Sequence, residues 1–146
     1  MLIDELDLLQ AEAGCRRTVL RSAHCIDASD PAGLAALFTP GGELHRPSGE
    51  PARGREAIEA AYRNRPAERL TRHLVVSTLV EMQAADAACA LTRVLLWVGD
   101  AGDPAGPQGR PRRGAPLLGK FADRLRRQPD GSWLIEHRDA SFEFHG

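Results

Sequence analysis

An α+β fold is predicted for this chain, with helices gathered in the first half and packed on one face of an antiparallel sheet built by the second. Three observations predict it. Apolar residues recur at helical spacing from Leu2 to about Ala28. From Arg69 onward the pattern changes to runs in which apolar and polar residues alternate, the period of a strand. Residues 117–127 and 132–144 then read as two strands joined by Pro129-Asp130-Gly131, a turn signal between alternating segments. Helices first and strands afterwards indicate segregated layers rather than βαβ units.

Each element has its own signal. The first helix carries Leu6, Leu9, Ala13, Val19, Leu20, Ala23 and Ile26, with Asp4, Glu5 and Asp7 favoured at its positive N-terminal end. Gly14 is a candidate break within it. Asp30 is placed to cap a second, short helix over residues 31–37, and Pro31 suits its first position. Glu43 to His45 reads as a brief strand, and residues 55–64 as a third helix burying Ala57, Ile58, Ala61 and Tyr62. Residues 69–83 and 87–98 form a hairpin turning at Ala84, Ala85 and Asp86. The stretch 99–116 is rich in Gly, Pro and Arg and has no periodicity, so it is either a long hairpin loop or a lid.

The 146 residues suit a single domain, 1–146, around one core, and the 42% apolar content is enough to fill it. A formal net charge of −1 offers no global attraction to nucleic acid or to an anionic membrane, so neither is expected as a partner. Arg110, Arg112 and Arg113 read as a solvated loop. No apolar run approaches the ~20 residues that span a bilayer. Cys15, Cys25 and Cys89 form no metal-binding or redox spacing and are expected as free buried thiols in a reducing compartment. With an acidic N-terminus unlike a signal peptide, the expected location is cytoplasmic.

Several motifs together carry a family likeness. They are Asp27-Ala-Ser-Asp30, Leu37-Phe38-Thr39-Pro40-Gly41-Gly42, Gly54-Arg55-Glu56-Ala57-Ile58, Arg72-His73, Gly119-x-x-x-Asp123 and Asp130-Gly131-x-Trp133. This pattern resembles the SnoaL-like branch of the NTF2-like superfamily over nearly the whole chain. The resemblance implies a cone: a curved antiparallel sheet enclosing an apolar pocket closed by the N-terminal helices, with a homodimer through the sheet's outer face. Fold alone does not decide function in such a superfamily.

Single positions discriminate further. Dehydratase and dehydrochlorinase members are similar in pairing a helix-borne aspartate with a histidine that opens a strand, and Asp27 and His73 fall at those positions. A tyrosine found one turn upstream in one dehydratase is replaced here by Ser22. In the ketosteroid isomerase pattern the base would fall at Arg46 and the oxyanion tyrosine at Ser22, leaving only Asp123 in place. The epoxide hydrolase Arg-x-Asp finds only Arg93-Val94-Leu95. The resemblance thus implies Asp27 and His73 as catalytic residues. Ser22, Arg46, Arg93, Asp123 and Arg138 make up the expected substrate-binding set.

The residue types suit the chemistry. A free imidazole titrates near ~6.5 and serves as a base near neutrality. A carboxylate on one ring nitrogen fixes the tautomer and stabilises the imidazolium formed when the other takes a proton. Asp27 lies at a helix C-terminus, where the dipole should raise its pKa slightly and pairing with a cationic His73 should offset the rise. Asp123 alternates with Phe121 and Leu125 and is expected to face inward, either protonated or paired with Arg93 or Arg138. His24 faces pocket or solvent; His45, His137 and His145 are surface or rim residues. Arg46 could hold a carboxylate or phenolate.

The expected function is a lyase or isomerase of the dehydratase type, acting on a small hydrophobic, cyclic or polyketide-like molecule without metal or cofactor. Two alternatives remain open: a polyketide cyclase using the same base, and a non-catalytic binding or assembly module. An open pocket holding both side chains favours catalysis; a pocket filled by Leu and Trp favours the module.

Overall fold

The computed structural model describes residues 3–144. Leu2 and His145, each assigned a place above, lie outside the described residues. The helices are α1 (Glu5–Asp27), α2 (Pro31–Ala36) and α3 (Arg55–Arg63). The strands are β1 (Phe38–His45), β2 (Ala52–Arg53), β3 (Arg69–Ala84), β4 (Ala87–Asp100), β5 (Leu117–Arg127) and β6 (Trp133–Phe142). They form one six-stranded sheet in the order β2-β1-β6-β5-β4-β3. All neighbours are antiparallel except β1 and β6, which run parallel.

The helix α1 is continuous through Gly14. A side chain there would place its Cβ 2.6 Å from Trp133 Cδ1, so the glycine allows the helix to lie against the sheet. The buried stripe of α1 is Ala11, Cys15, Thr18, Val19, Ser22, Ala23 and Ile26, while Leu6, Leu9 and Leu20 are exposed. Small residues make this face because the helix sits close on the sheet. Asp30 caps α2 through Gly33 N–H at 2.9 Å, with Pro31 leading the helix as predicted. On α3 only Ile58 is fully buried; Ala61 and Tyr62 pack at the core margin and Ala57 is exposed. Of the cysteines, Cys15 is buried, its thiol pushed up to about 12 chiefly by burial, whereas Cys25 and Cys89 are only half-buried.

Two bulges curve the sheet and decide which residues face the helices. In β3 the inward set is Thr71, His73 and Val75, then Thr78, Val80 and Met82; the register shift after Val75 reverses the parity. In β6 the inward residues Trp133 and Ile135 are followed by Arg138 rather than His137, because the shift after Ile135 leaves Glu136 unpaired. An extra residue bends a strand and strengthens its twist. The stretch after β4 is a hairpin loop organised by Arg113, whose guanidinium meets the Asp103 carboxylate at 2.7 Å. No helix is long and apolar enough to cross a membrane among the described residues.

Candidate active site

Asp27 is the last residue of α1, and His73 lies on β3 at the sheet edge. An edge strand has backbone amides without a ladder partner, and these must be satisfied elsewhere. Asp27 supplies that partner. Its Oδ2 accepts the His73 backbone N–H at 2.7 Å, and its Oδ1 accepts the Thr71 hydroxyl at 2.9 Å. The same Oδ1 lies 2.6 Å from His73 Nδ1, a contact that assigns the ring proton to Nδ1 and leaves Nε2 as acceptor. Thr71 and His73 share a face because they are two residues apart.

Burial raises the Asp27 pKa, but the two His73 hydrogen bonds, the His73 charge and the Thr71 hydroxyl outweigh it. They hold the carboxyl below its usual value. The sequence set a slight rise from the helix dipole against an offset from His73; the direct hydrogen bonds carry the balance below the usual value.

His73 lines a cavity of about 390 Å³, within the range of small-molecule sites. Ile26, Val94, Leu96 and Phe121 form its apolar wall. The His73 and Phe121 rings lie 6.2 Å apart, tilted by 36°. Residues 101–116 do not line this cavity.

The other expected site residues are placed differently from one another. Arg46 lines the cavity. Ser22 is fully buried in the helix–sheet interface, donates to the Val19 carbonyl at 2.6 Å and does not reach the cavity. Arg93 points to the outer face, where it meets Glu143 at 3.3 Å; its pairing with Asp123 is ruled out by the even parity of the inward residues of β4. Asp123 and Arg138 face inward on neighbouring strands and form a bidentate pair, with Nε–Oδ1 and Nη2–Oδ2 both 2.8 Å. Their side chains are 0% and 2% exposed. The Arg138 guanidinium carbon lies 4.0 Å from the centroid of the Phe121 ring. The pair therefore sits beside the cavity wall rather than in the lining. His24 is exposed to solvent.

Tyr62 was read from the sequence only as part of the buried face of α3. It lines the cavity as the chain's single tyrosine, and the guanidinium carbons of Arg46 and Arg65 lie 5.7 and 5.8 Å from its ring centroid. Burial raises its pKa, an effect partly offset by Arg138, Arg46 and Arg65, so the phenol remains a hydrogen-bond donor at neutral pH. Its uniqueness in the chain was the available sequence signal.

Residues that could share a metal ion lie outside this cavity. Glu43, His45 and His137 bring ligand atoms within 4.8 Å of one another. They alternate with the inward residues Leu44 and Arg138 and so occupy the outer face of β1 and β6. Glu43 is already paired with Arg53 at 2.6 Å.

The model of the SnoaL-like domain matches residues 7–139. The chain belongs to the SnoaL-like domain family. No curated protein matches it. Among solved structures, this SnoaL-like protein is similar to a protein assigned as a scytalone dehydratase from Novosphingobium aromaticivorans. The two share 20% identity at a TM-score of 0.77, over 96% of this chain and 91% of the other. It is also similar to the hexachlorocyclohexane dehydrochlorinase LinA type 2, with 16% identity and a TM-score of 0.80 over 97% and 90% of the two chains. ActVI-ORFA from Streptomyces coelicolor shares 24% identity at a TM-score of 0.72, over 91% and 97%. At these identities the likeness establishes the NTF2-like cone.

Proposed function

We propose that this protein is a lyase of the dehydratase type, acting on a small cyclic or polyketide-like β-hydroxy carbonyl compound. One observation carries the reading: a histidine locked to a carboxylate at 2.6 Å presents its other nitrogen from the wall of an open, largely apolar cavity. His73 Nε2 takes the proton from the carbon next to the substrate carbonyl. The electron pair becomes the new carbon–carbon double bond as the neighbouring C–O bond breaks. The departing hydroxyl takes the proton back from the imidazolium and leaves as water. Asp27 stabilises the imidazolium meanwhile and holds the ring in place.

The similar solved structures support this reading, since a dehydratase and a dehydrochlorinase both name eliminations. The open cavity supports it against a passive module: Trp133 is packed in the core and Trp97 lies on the outer face, so neither fills the space. A cyclase would share the first proton transfer and then direct the enolate at an internal carbonyl. The reading includes a homodimer through the outer sheet face, where Leu74, Val76, Leu79 and Trp97 are exposed.

The test uses 3-hydroxy-1-tetralone, whose dehydration yields fluorescent 1-naphthol, together with 1-tetralone in D₂O. The expected result is naphthol formation and deuterium uptake beside the carbonyl, both lost in His73→Ala. Deuterium uptake without His73-dependent loss of water would favour the cyclase. Equal rates for wild type and His73→Ala on both probes would refute the assignment.

A further inference from the structure

We propose that the mouth of the cavity is an anion subsite, so that the natural substrate is an acid held by its carboxylate at Arg46. The proposal deepens the elimination reading, on which its choice of cavity rests. Three arginines, Arg46, Arg65 and Arg69, line the cavity, and no carboxylate residue does; Lys120 borders it by its position on β5 but pairs in register with the outward Arg93. The chain as a whole is nearly neutral, at −1, so this is a local excess rather than a general basic character. Asp27 lies behind His73 and Thr71, outside the lining, and its charge offsets the excess only in part, at Arg65.

Arg46 is the centre of the subsite. Its Nε is buried and has no hydrogen-bond partner among the described residues, an arrangement that costs free energy unless a ligand supplies the acceptor. Other arginines of the chain are paired: Arg53 with Glu43, Arg93 with Glu143, Arg138 with Asp123. Arg46 instead lies over the Tyr62 ring, with Arg65 against the same ring. Like charges gathered round one phenol repel, and burial together with Arg69 lowers the pKa of Arg65. An incoming carboxylate relieves this repulsion and accepts two parallel N–H bonds from a planar guanidinium, the geometry for which arginine is suited.

The geometry also gives the subsite a purpose. Arg46 follows β1, whereas His73 and Phe121 belong to β3 and β5, so an anchored acid extends its body from the mouth along the apolar wall. Binding at a remote charged group positions the acidic C–H against Nε2. A neutral amide of the same shape offers one carbonyl acceptor and no charge in place of two charged oxygens, so the site discriminates by charge.

The experiment compares 2-naphthoate with its uncharged isostere 2-naphthamide by calorimetry on the full chain at pH 7 and low salt. The naphthoate should bind at least about tenfold more tightly, as a charge-assisted bidentate pair implies. The preference should shrink with added salt, because a partly open ion pair is screened. Arg46→Met should erase it while leaving naphthamide affinity within about twofold, and Arg46→Lys should retain part of it. Equal affinity of wild type for acid and amide overturns the proposal, whatever the variants do. So does equal weakening of both ligands in a folded Arg46→Met. His73→Ala should keep the preference, so loss of the elimination reading and loss of the subsite appear in different measurements.

Discussion

Two carboxylates reach the inner side of the sheet, and each meets a different nitrogen donor. Asp123 meets Arg138 in a fully buried bidentate pair, whereas Asp27 meets His73 at a cavity wall. A guanidinium keeps its proton in a protein, so the Asp123 pair is a fixed dipole that can brace strands but cannot carry a proton. An imidazole has a second nitrogen that can take a proton and give it back, so the Asp27 pair can. Access differs as well: the His73 ring lines the cavity, while the Arg138 guanidinium lies against Phe121. Partner and exposure, not the carboxylate itself, separate a structural ion pair from a reactive one.

The comparison can be broken most sharply at His73. Replacing it by Arg keeps a donor beside Asp27 but removes the proton-accepting nitrogen, and turnover of 3-hydroxy-1-tetralone should fall by about 10²–10⁴-fold. Retained turnover would mean that the imidazole is not the base. Next in size is Asp123→Ala, which strands Arg138 as a buried unpaired charge and should cost about 3–5 kcal/mol in urea unfolding. The double change Asp123→Leu with Arg138→Met should recover most of that loss, since a well-packed apolar pair can replace a buried ion pair. Failure to recover would show a role beyond bracing.

A smaller effect is expected from Thr71→Val, which removes one hydrogen bond to Asp27 and should cost about 0.5–1.5 kcal/mol of stability. The last test is pH. The Asp27 pKa is lower folded than unfolded, so its stabilising contribution is present above the unfolded carboxylate value near ~3.9. That contribution is lost as pH falls through the lower folded value. Asp27→Asn should flatten this acid limb in thermal unfolding; an unchanged limb would place the dependence on other groups.

Much of the fold was legible because it rests on local chemistry. Asp30 and Pro31 announce a helix start, and β5 has the bounds its alternation predicts. Asp27 and His73 were legible through the motifs around them. What escaped depends on register. The unbulged pairing of β5 with β6 would set Asp123 opposite His137; skipping Glu136 brings Arg138 inward instead and turns His137 out. No alternation pattern reveals such a skip, so Arg93 and Arg138 could not be separated from the sequence. The brief strand expected from Glu43 to His45 in fact starts at Phe38, because β1 runs through Thr39, Pro40, Gly41 and Gly42 in an irregular pairing with β6. The buried stripe of α1 contains Cys15, Thr18 and Ser22, which hydropathy underrates, while the exposed Leu6, Leu9 and Leu20 drew the prediction to another face.

The seat of His73 on the outermost strand has a consequence for assembly. A foreign strand extending the sheet beside this stretch of β3 would need the backbone amide that Asp27 now occupies. Docking there would displace the carboxylate from the imidazole in the same event. The acid bonded to His73 thus also guards an otherwise adhesive rim, so a variant lacking it should gain a tendency to self-associate.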